Sequence, residues 1–239
     1  VQIETDLNVQ RIRREDEGLF LMFVDDASLK VPEQARLIVQ KATGNARIRK
    51  MQGKIDISSV SGNLAVQQAK DVRIDRVSGG CLVQNIEGEL EINSVGGSLK
   101  GKDCFEGVRA DRISAGVELL NVQGEVDVRS MGDIRFGFLT ESVEPVRLRA
   151  SGSISLSLPF ELNAEMKIKS NALLTELGMG DRKERINHRK HVLLVGDGRR
   201  KFDLEANGKV KIVAEKIEDT ELLNLFEELE TLWKALRKE

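Results

Sequence analysis

The sequence predicts an all-β fold, a single-stranded parallel β-helix (a β-solenoid) with coils of about eighteen residues, followed by a C-terminal amphipathic α-helix. Three observations support this prediction. Small residues recur every eighteen positions, short runs of alternating apolar residues stand at the same offset in each repeat, and apolar spacing becomes helical only near the C-terminus. Self-similarity at a fixed short period is typical of repeat architectures, and it describes a shape better than an activity.

The repeat predicts two strands in each coil. In every unit, two short stretches alternate apolar and polar residues, which is the period of a half-buried strand. Because strands of successive coils pair about 4.8 Å apart, equivalent apolar residues should stack into inward ladders. The units open on Gly62, Gly80, Ser98 and Gly116. The predicted ladders are Ile55, Val72, Leu90, Val108, Val126, Val146 and Met166; Ile57, Ile74, Ile92, Ala110, Val128, Leu148 and Ile168; and Val77, Val95, Ile113 and Met131.

The N-terminal residues 1–43 are predicted to form a β-hairpin and cap. Residues 9–14 and 19–24 read as two strands joined by a short polar turn. The open end of a solenoid exposes unpaired strand edges, so a hairpin there would protect the first coil. The β-solenoid repeats are then predicted to occupy residues 44–175.

Residues 176–216 are predicted to form either irregular final coils or a β-meander. Three strand-like runs in this part are separated by Asp197-Gly198 and Asn207-Gly208. Both dipeptides favour two-residue hairpin turns. The sequence leaves the two alternatives open.

The last predicted element is an amphipathic helix over residues 217–239. Its leucines are spaced three and four apart, which is the seam spacing of a coiled coil. A helix of about twenty residues cannot bury so wide a stripe against itself, so it should pack on the solenoid or on another chain. The candidate oligomerisation residues are Leu222, Leu225, Phe226, Leu229, Leu232, Trp233 and Leu236.

Charge and aromatic content disfavour nucleic acid as a partner. The chain has 37 basic and 39 acidic residues, with a net charge of −2, so no large field of one sign is expected. The charged residues between the ladders alternate in sign and are predicted to form a solvated outer wall. Tyrosine is absent, and the phenylalanines of the repeat, Phe105 and Phe136 among them, are assigned to the core.

The compartment is predicted from cysteines and hydropathy. No run approaches the roughly 20 apolar residues of a membrane span, so no transmembrane segment is expected. Cys81 and Cys104 occupy non-equivalent positions in neighbouring coils, which predicts two free thiols and favours a reducing interior. We therefore expect a cytoplasmic protein, with the cell envelope or surface as the alternative if an upstream segment has been removed.

No catalytic, metal or cofactor site is predicted. The serines of the repeat lie at turns without a nucleophile elbow, and its carboxylates recur as surface residues rather than as a catalytic pair. His188 and His191 flank Arg189 and Lys190, whose charges oppose a bound cation. The expectation is a protein that is not an enzyme.

A basic segment over residues 182–201 is the main candidate for binding. If its two clusters fold together, they would form one patch for phosphates, anionic lipid headgroups or an acidic partner. The alternative is a solvated loop and turn. The candidate residues are Arg182, Lys183, Arg185, Arg189, Lys190, Arg199, Arg200 and Lys201.

The motifs of the repeat resemble those of a known family. A Val31-Pro32 turn precedes units with a Val-Ser-Gly core, found at residues 60–64 and 77–81. These features resemble the DUF4097 group of bacterial and archaeal β-solenoid proteins, described as adhesins, over roughly residues 29–215. The resemblance implies a parallel β-helix and a role in envelope stress or at the cell surface. The leucine-seamed helix departs from the pattern of the group.

The leading functional hypothesis is a structural or scaffolding protein that self-associates or binds protein partners. Uncapped coil ends would stack head to tail into a homo-oligomer or filament. The alternative is an envelope-associated module, adhesin-like or bound to an anionic surface through the basic segment. A third hypothesis is a β-helix enzyme that degrades a polymer.

Overall fold

The computed structural model confirms a parallel β-solenoid. In the part of the chain that it describes, there are strands, turns and bends and no helix. The predicted helix over residues 217–239 lies outside the described residues. Those residues are 9–15, 18–23, 33–137, 144–159, 163–171, 175–179, 182–186, 189–195 and 197–214.

The strands are short, which suits coils of about eighteen residues that turn at small or polar positions. In chain order they are β1 (Val9–Glu15), β2 (Gly18–Phe23), β3 (Leu37–Ala42), β4 (Ala46–Met51), β5 (Ile55–Ile57), β6 (Leu64–Ala69), β7 (Val72–Ile74), β8 (Cys81–Ile86), β9 (Leu90–Val95), β10 (Leu99–Cys104), β11 (Gly107–Ile113), β12 (Val117–Val122), β13 (Glu125–Ser130), β14 (Ile134–Gly137), β15 (Val146–Ala150), β16 (Ile154–Leu158), β17 (Ala164–Ser170), β18 (Thr175–Met179), β19 (Arg182–Ile186), β20 (Lys190–Val195), β21 (Arg200–Ala206) and β22 (Val210–Ala214).

Two long sheets run along the solenoid axis, and each regular coil contributes one strand to each sheet. Sheet one has the order β1-β2-β3-β5-β7-β9-β11-β13-β15-β21-β17-β20. Sheet two has the order β19-β18-β22-β16-β14-β12-β10-β8-β6-β4. The apolar core lies between the two sheets, because alternate residues of every regular strand are buried.

The predicted inward ladders are confirmed through the regular coils. Ile55 pairs with Val72, Val72 with Leu90, and the register continues through Val126 to Val146. These residues are at most 2% exposed. The eighteen-residue spacing therefore reports the strand register directly.

Glycine at the unit boundary permits close contact between coils. At Gly62 an added Cβ would lie 2.7 Å from the carbonyl oxygen of Gly44, too near for any larger residue. Beside it, the Asn45 side chain accepts a hydrogen bond from the Asn63 amide at 2.8 Å, and Asn63 accepts one from the Gly80 amide at 2.8 Å. Small residues and side-chain caps thus satisfy the corner backbone.

The end of the first predicted ladder is wrong. Met166 does not follow Val146, because β21 lies between β15 and β17 and places Phe202 between them. The second ladder is interrupted in the same way by Leu204, between Leu148 and Ile168. A strand from later in the sequence fills the gap, which a local repeat does not reveal.

The prediction that Met131 faces the core is also wrong. Ile113 is in register with Ser130, after a register shift in β11. Ser130 is 7% exposed, and its hydroxyl donates a hydrogen bond to the Ala115 carbonyl oxygen at 2.7 Å. Met131 therefore falls one position beyond the inward site and is 70% exposed.

Antiparallel strands close three of the sheet ends. The predicted N-terminal hairpin is confirmed, since β1 pairs antiparallel with β2, which pairs parallel with β3. At the other end, β20 pairs antiparallel with β17, and β19 pairs antiparallel with β18. The strand direction thus reverses at these ends instead of continuing the parallel stack.

Asn207-Gly208 forms a coil corner rather than the hairpin turn that this dipeptide favours. It joins β21 of sheet one to β22 of sheet two. The Gly208 amide donates to the Gly152 carbonyl oxygen at 2.8 Å, as a parallel coil-to-coil contact. Asp197-Gly198 also makes no hairpin, because β17 lies between β20 and β21.

Candidate functional site

The outer face of sheet one carries charges whose sign alternates from strand to strand. Arg73 lies 3.6 Å from Glu91, and Arg149 lies 3.4 Å from Asp127. Exposed ion pairs of this kind each contribute little to stability. The column forms a solvated wall, and a small pocket of about 140 Å³ on it is lined by Glu91, Arg109 and Asp127, with neighbouring carboxylates. In register order the column is Asp56, Arg73, Glu91, Arg109, Asp127, Arg147, Asp203 and Lys167.

Two carboxyl groups near the end of this wall are held in the ionised form. Lys201 donates a hydrogen bond to Glu165, and Lys169 donates one to Glu205. These hydrogen bonds, with the positive charges behind them, lower the pKa of both carboxyl groups. A general acid needs a raised pKa, so these carboxylates are suited to ion pairing.

The predicted basic patch includes one buried residue, Arg200, and that assignment is wrong. Alternate residues of β21 face the core, and Arg200 is the first of them, at 1% exposed. Its Nε donates to the Glu144 carbonyl oxygen at 3.0 Å, and its guanidinium carbon lies 5.4 Å from the centroid of the Phe202 ring. Burial lowers the pKa of Arg200 to about 10, although the charge of Glu144 opposes the shift.

The structure separates Lys190 from the second basic cluster. Lys190 is opposite Lys169 at one end of β17, whereas Arg200 is opposite Ala164 at the other end. Five residues of strand separate these positions by roughly 17 Å. Arg189 and Lys190 are exposed near the first position.

The remaining members of the predicted patch belong to both sheets. Exposed Arg199 pairs with Asp197 at 2.5 Å, and Lys201 pairs with Glu165. Arg182, Lys183 and Arg185 lie on β19 of sheet two, where only the backbone is described.

An apolar face within the same segment was missed by the sequence reasoning. Val192 and Leu194 are each 64% exposed on the outer face of β20. Their register partners on β17 are Lys167 and Glu165, so the outer face changes from charged to apolar at the last strand. The alternation of apolar and polar residues gave no signal here, because residues 192–195 are all apolar.

One corner of the solenoid carries a column of residues with positive φ, a conformation that side chains other than Asn and Asp rarely adopt. Asn121 donates from Nδ2 to Asp103 Oδ1 at 2.6 Å, which links two members of the column. The column is Lys50 (φ 55), Gln68 (54), Asn85 (53), Asp103 (54) and Asn121 (52). A second column stands two residues further along each coil, after one inward residue: Gln52, Lys70, Glu87, Phe105 and Gln123.

Residues of the two columns border a groove of about 600 Å³, which we call the corner groove. Its lining residues are Glu33, Lys50, Gln52, Gln68, Asn85, Glu87, Asp103 and Phe105. Phe105 lines it and is 41% exposed, contrary to its predicted place in the core, whereas Phe136 is buried as predicted. The Phe105 amide donates to the Ile86 carbonyl oxygen, as the Gln123 amide does to Cys104, so Phe105 occupies a position filled elsewhere by polar residues. Comparison of the eighteen-residue columns would have identified this aromatic residue.

The two thiols are buried and free, as the sequence predicts. Desolvation raises the pKa of Cys81 to about 12. It raises the pKa of Cys104 to about 12 as well, with a smaller contribution from the charge of Asp103. Thiols of this kind are unreactive near neutral pH because the thiolate is the nucleophile.

The architecture defines the class of protein: a parallel β-solenoid repeat protein with a charged outer wall. The chain belongs to the Toastrack DUF4097 family, whose model matches residues 15–195. No curated protein matches the chain, and neither does any solved structure.

No helix in the described ranges is long and apolar enough to cross a membrane. No group of three or more His, Cys, Asp or Glu side chains there is placed to hold a metal ion.

Proposed function

We propose that this chain is a non-enzymatic scaffold that binds a second copy of itself through the corner groove. The observation that supports the proposal is the order of charges along the two columns. Along the groove, the first column runs Lys50, Gln68, Asn85, Asp103, and the second runs Gln52, Lys70, Glu87, Phe105, so over this length each is basic or amide at one end and acidic or apolar at the other. Asn121 and Gln123 continue the columns beyond the groove.

This order is self-complementary under a two-fold axis. An isologous interface places residue i of one copy against residue j of the other, and j against i. With the axis between the coils of Gln68 and Asn85, Lys50 faces Asp103 of the second copy. Lys70 then faces Glu87 of the second copy, and the amides of Gln68 and Asn85 face each other.

Phe105 supplies the apolar anchor of the proposed interface. Aromatic residues are enriched among the side chains that dominate binding energy, and Phe105 is the exposed aromatic residue of this groove. In the two-fold arrangement, it faces Gln52 of the second copy. Association by this route differs from head-to-tail stacking, which the antiparallel strands at the sheet ends oppose.

A charge exchange between Lys70 and Glu87 tests the proposal. We expect Lys70→Glu and Glu87→Lys each to raise the dimer dissociation constant about tenfold or more, because each places like charges together twice. The double variant should restore association. Sedimentation velocity over a concentration series measures the constants, and a strictly monomeric wild-type chain would contradict the proposal.

Phe105→Gln probes the anchor and introduces the residue found at the equivalent position 123. It should weaken association by about tenfold or more. Met131→Gln, which removes an exposed apolar side chain outside the groove, is the matched control and should leave the dissociation constant unchanged.

A further inference from the structure

The apolar outer face of β20 is exposed to solvent, and the described residues end at a nearby corner of the solenoid. Ala214, at the end of β22, is opposite Leu158 at the end of β16. The chain turns at this corner from β16 into β17, whose first residue, Ala164, is opposite Val195. Residues 215–239 therefore begin near the end of β20 that carries Leu194.

The sequence beyond Ala214 supplies a matching apolar surface. Leu222, Leu225 and Leu229 stand at helical spacing, and a helix of this length needs another surface to bury them. Four residues, 215–218, span up to about 13 Å, enough to carry a helix from the corner onto the outer face. Twenty helical residues extend about 30 Å, which exceeds the length of β20.

Charge complements the apolar match. Lys167, Lys169 and Lys190 are exposed around Val192, on neighbouring positions of β17 and β20. Lys167 lies 3.8 Å from Glu165 and Lys169 pairs with Glu205, so Lys190 is the lysine of this rim that is most available to a covering segment. On a helix, Glu221 and Glu228 would flank one side of the leucine seam. A helix lying on the lysine-rimmed face would bring these carboxylates to its basic edge.

We propose that residues 219–238 fold back as an amphipathic helix of the same chain and cover Val192 and Leu194 on the outer face of β20. The occupant is this chain's own C-terminal segment, because the segment starts at the corner next to the face. The contact removes the apolar outer face of the last strand of sheet one from water. It is independent of the corner groove, which lies at a different part of the solenoid.

Disulfide trapping in the full chain tests this contact. The native thiols are buried, with pKa raised to about 12, so they do not compete with new surface cysteines. Val192→Cys combined with Leu225→Cys should form a disulfide within one chain under mild oxidation. Non-reducing peptide mapping with intact mass identifies the linkage. The matched control, Val192→Cys with Glu227→Cys, places the second thiol on the opposite side of the helix and should form at least about fivefold less disulfide.

Three results would overturn the proposal: a disulfide between two chains, equal linkage in both pairs, or no linkage in either. A second measurement does not depend on cysteines. Hydrogen exchange at residues 222–236 should be slow in the wild type and at least about tenfold faster in Val192→Lys/Leu194→Lys, whose changes lie at exposed positions. Equal exchange in the two proteins would also reject the contact, and neither experiment depends on dimer formation.

Discussion

The coils from β5 to β16 follow one another in sequence order, whereas the coils at the C-terminal end do not. In the first region the strands from β5 to β14 pair with the equivalent strands of the previous and the next unit in the sequence. In the second, β21 and β22 return to fill the space between the coil of β15 and β16 and the coil of β17 and β18. The difference shows that a repeat predicts register only where neighbours in space are also neighbours in sequence.

Removing the inserted strands should separate the two regions most clearly. A chain that ends after residue 199 lacks β21 and β22, so β17 loses its parallel partner while β5 to β14 keep both of theirs. Hydrogen exchange should show lost protection in β17 and β20 and retained protection in β5 to β14. A chain that ends after residue 214 is the control and should keep both regions protected. Protection of β17 in the shorter chain would contradict the insertion.

High pH should weaken the sequence-ordered region, which contains both thiols. Their pKa is raised from 9.0 to about 12 in the folded chain, so between these values the unfolded state loses protons that the folded state keeps. The stabilisation is therefore complete below pH 9 and is lost as pH rises toward 12. The slope is roughly 1.4 kcal/mol per pH unit for each thiol.

Denaturant unfolding at several pH values measures this slope, and Cys81→Ala/Cys104→Ala supplies the background from other groups. The double variant should show a shallower dependence than the wild type above pH 9. Equal slopes would show that the thiols are accessible in the folded chain.

A smaller effect is expected from overpacking one inward ladder. Gly101 stands between Val83 and Leu119, and an added Cβ would lie 2.6 Å from Leu119 Cδ2 and 3.2 Å from Val83 Cγ2. Gly101→Ala should lower the free energy of unfolding by about 1–3 kcal/mol. Gly116→Ala is the control, since a Cβ added there would lie 3.4 Å from its nearest neighbour, the Asp133 carbonyl oxygen. Similar losses in both variants would show that the ladder adjusts.

The sequence predicted the solenoid, its two sheets of strands and the ladders through Val146, because these depend on local periodicity. It placed Met131 inward because a period of eighteen cannot reveal a register shift inside β11. It also could not predict that Phe202 lies between Val146 and Met166, since that neighbour comes from more than thirty residues later.

The candidate sites were less predictable for a related reason. The basic segment was chosen for its charges, but the alternation of β21 turns Arg200 inward and the antiparallel β20 carries Lys190 to the far end of β17. The corner groove depends on which residues share a column, and its self-complementary charges emerge only when the coils are aligned. Only that alignment shows Phe105 at a surface position of the groove.

The late insertion of β21 and β22 also sets an order of events during synthesis. When residues 164–170 leave the ribosome, the strand that should separate β17 from β15 has not yet been made. Until β21 is made, β17 either stays without its parallel partner or pairs for a time with the wrong strand, β15. In the finished sheet these two strands lie about two strand spacings apart, roughly 9.6 Å. Completion of the stack is consequently a late closing step, and its speed, rather than growth of the regular coils, should limit how soon the chain becomes resistant to proteases.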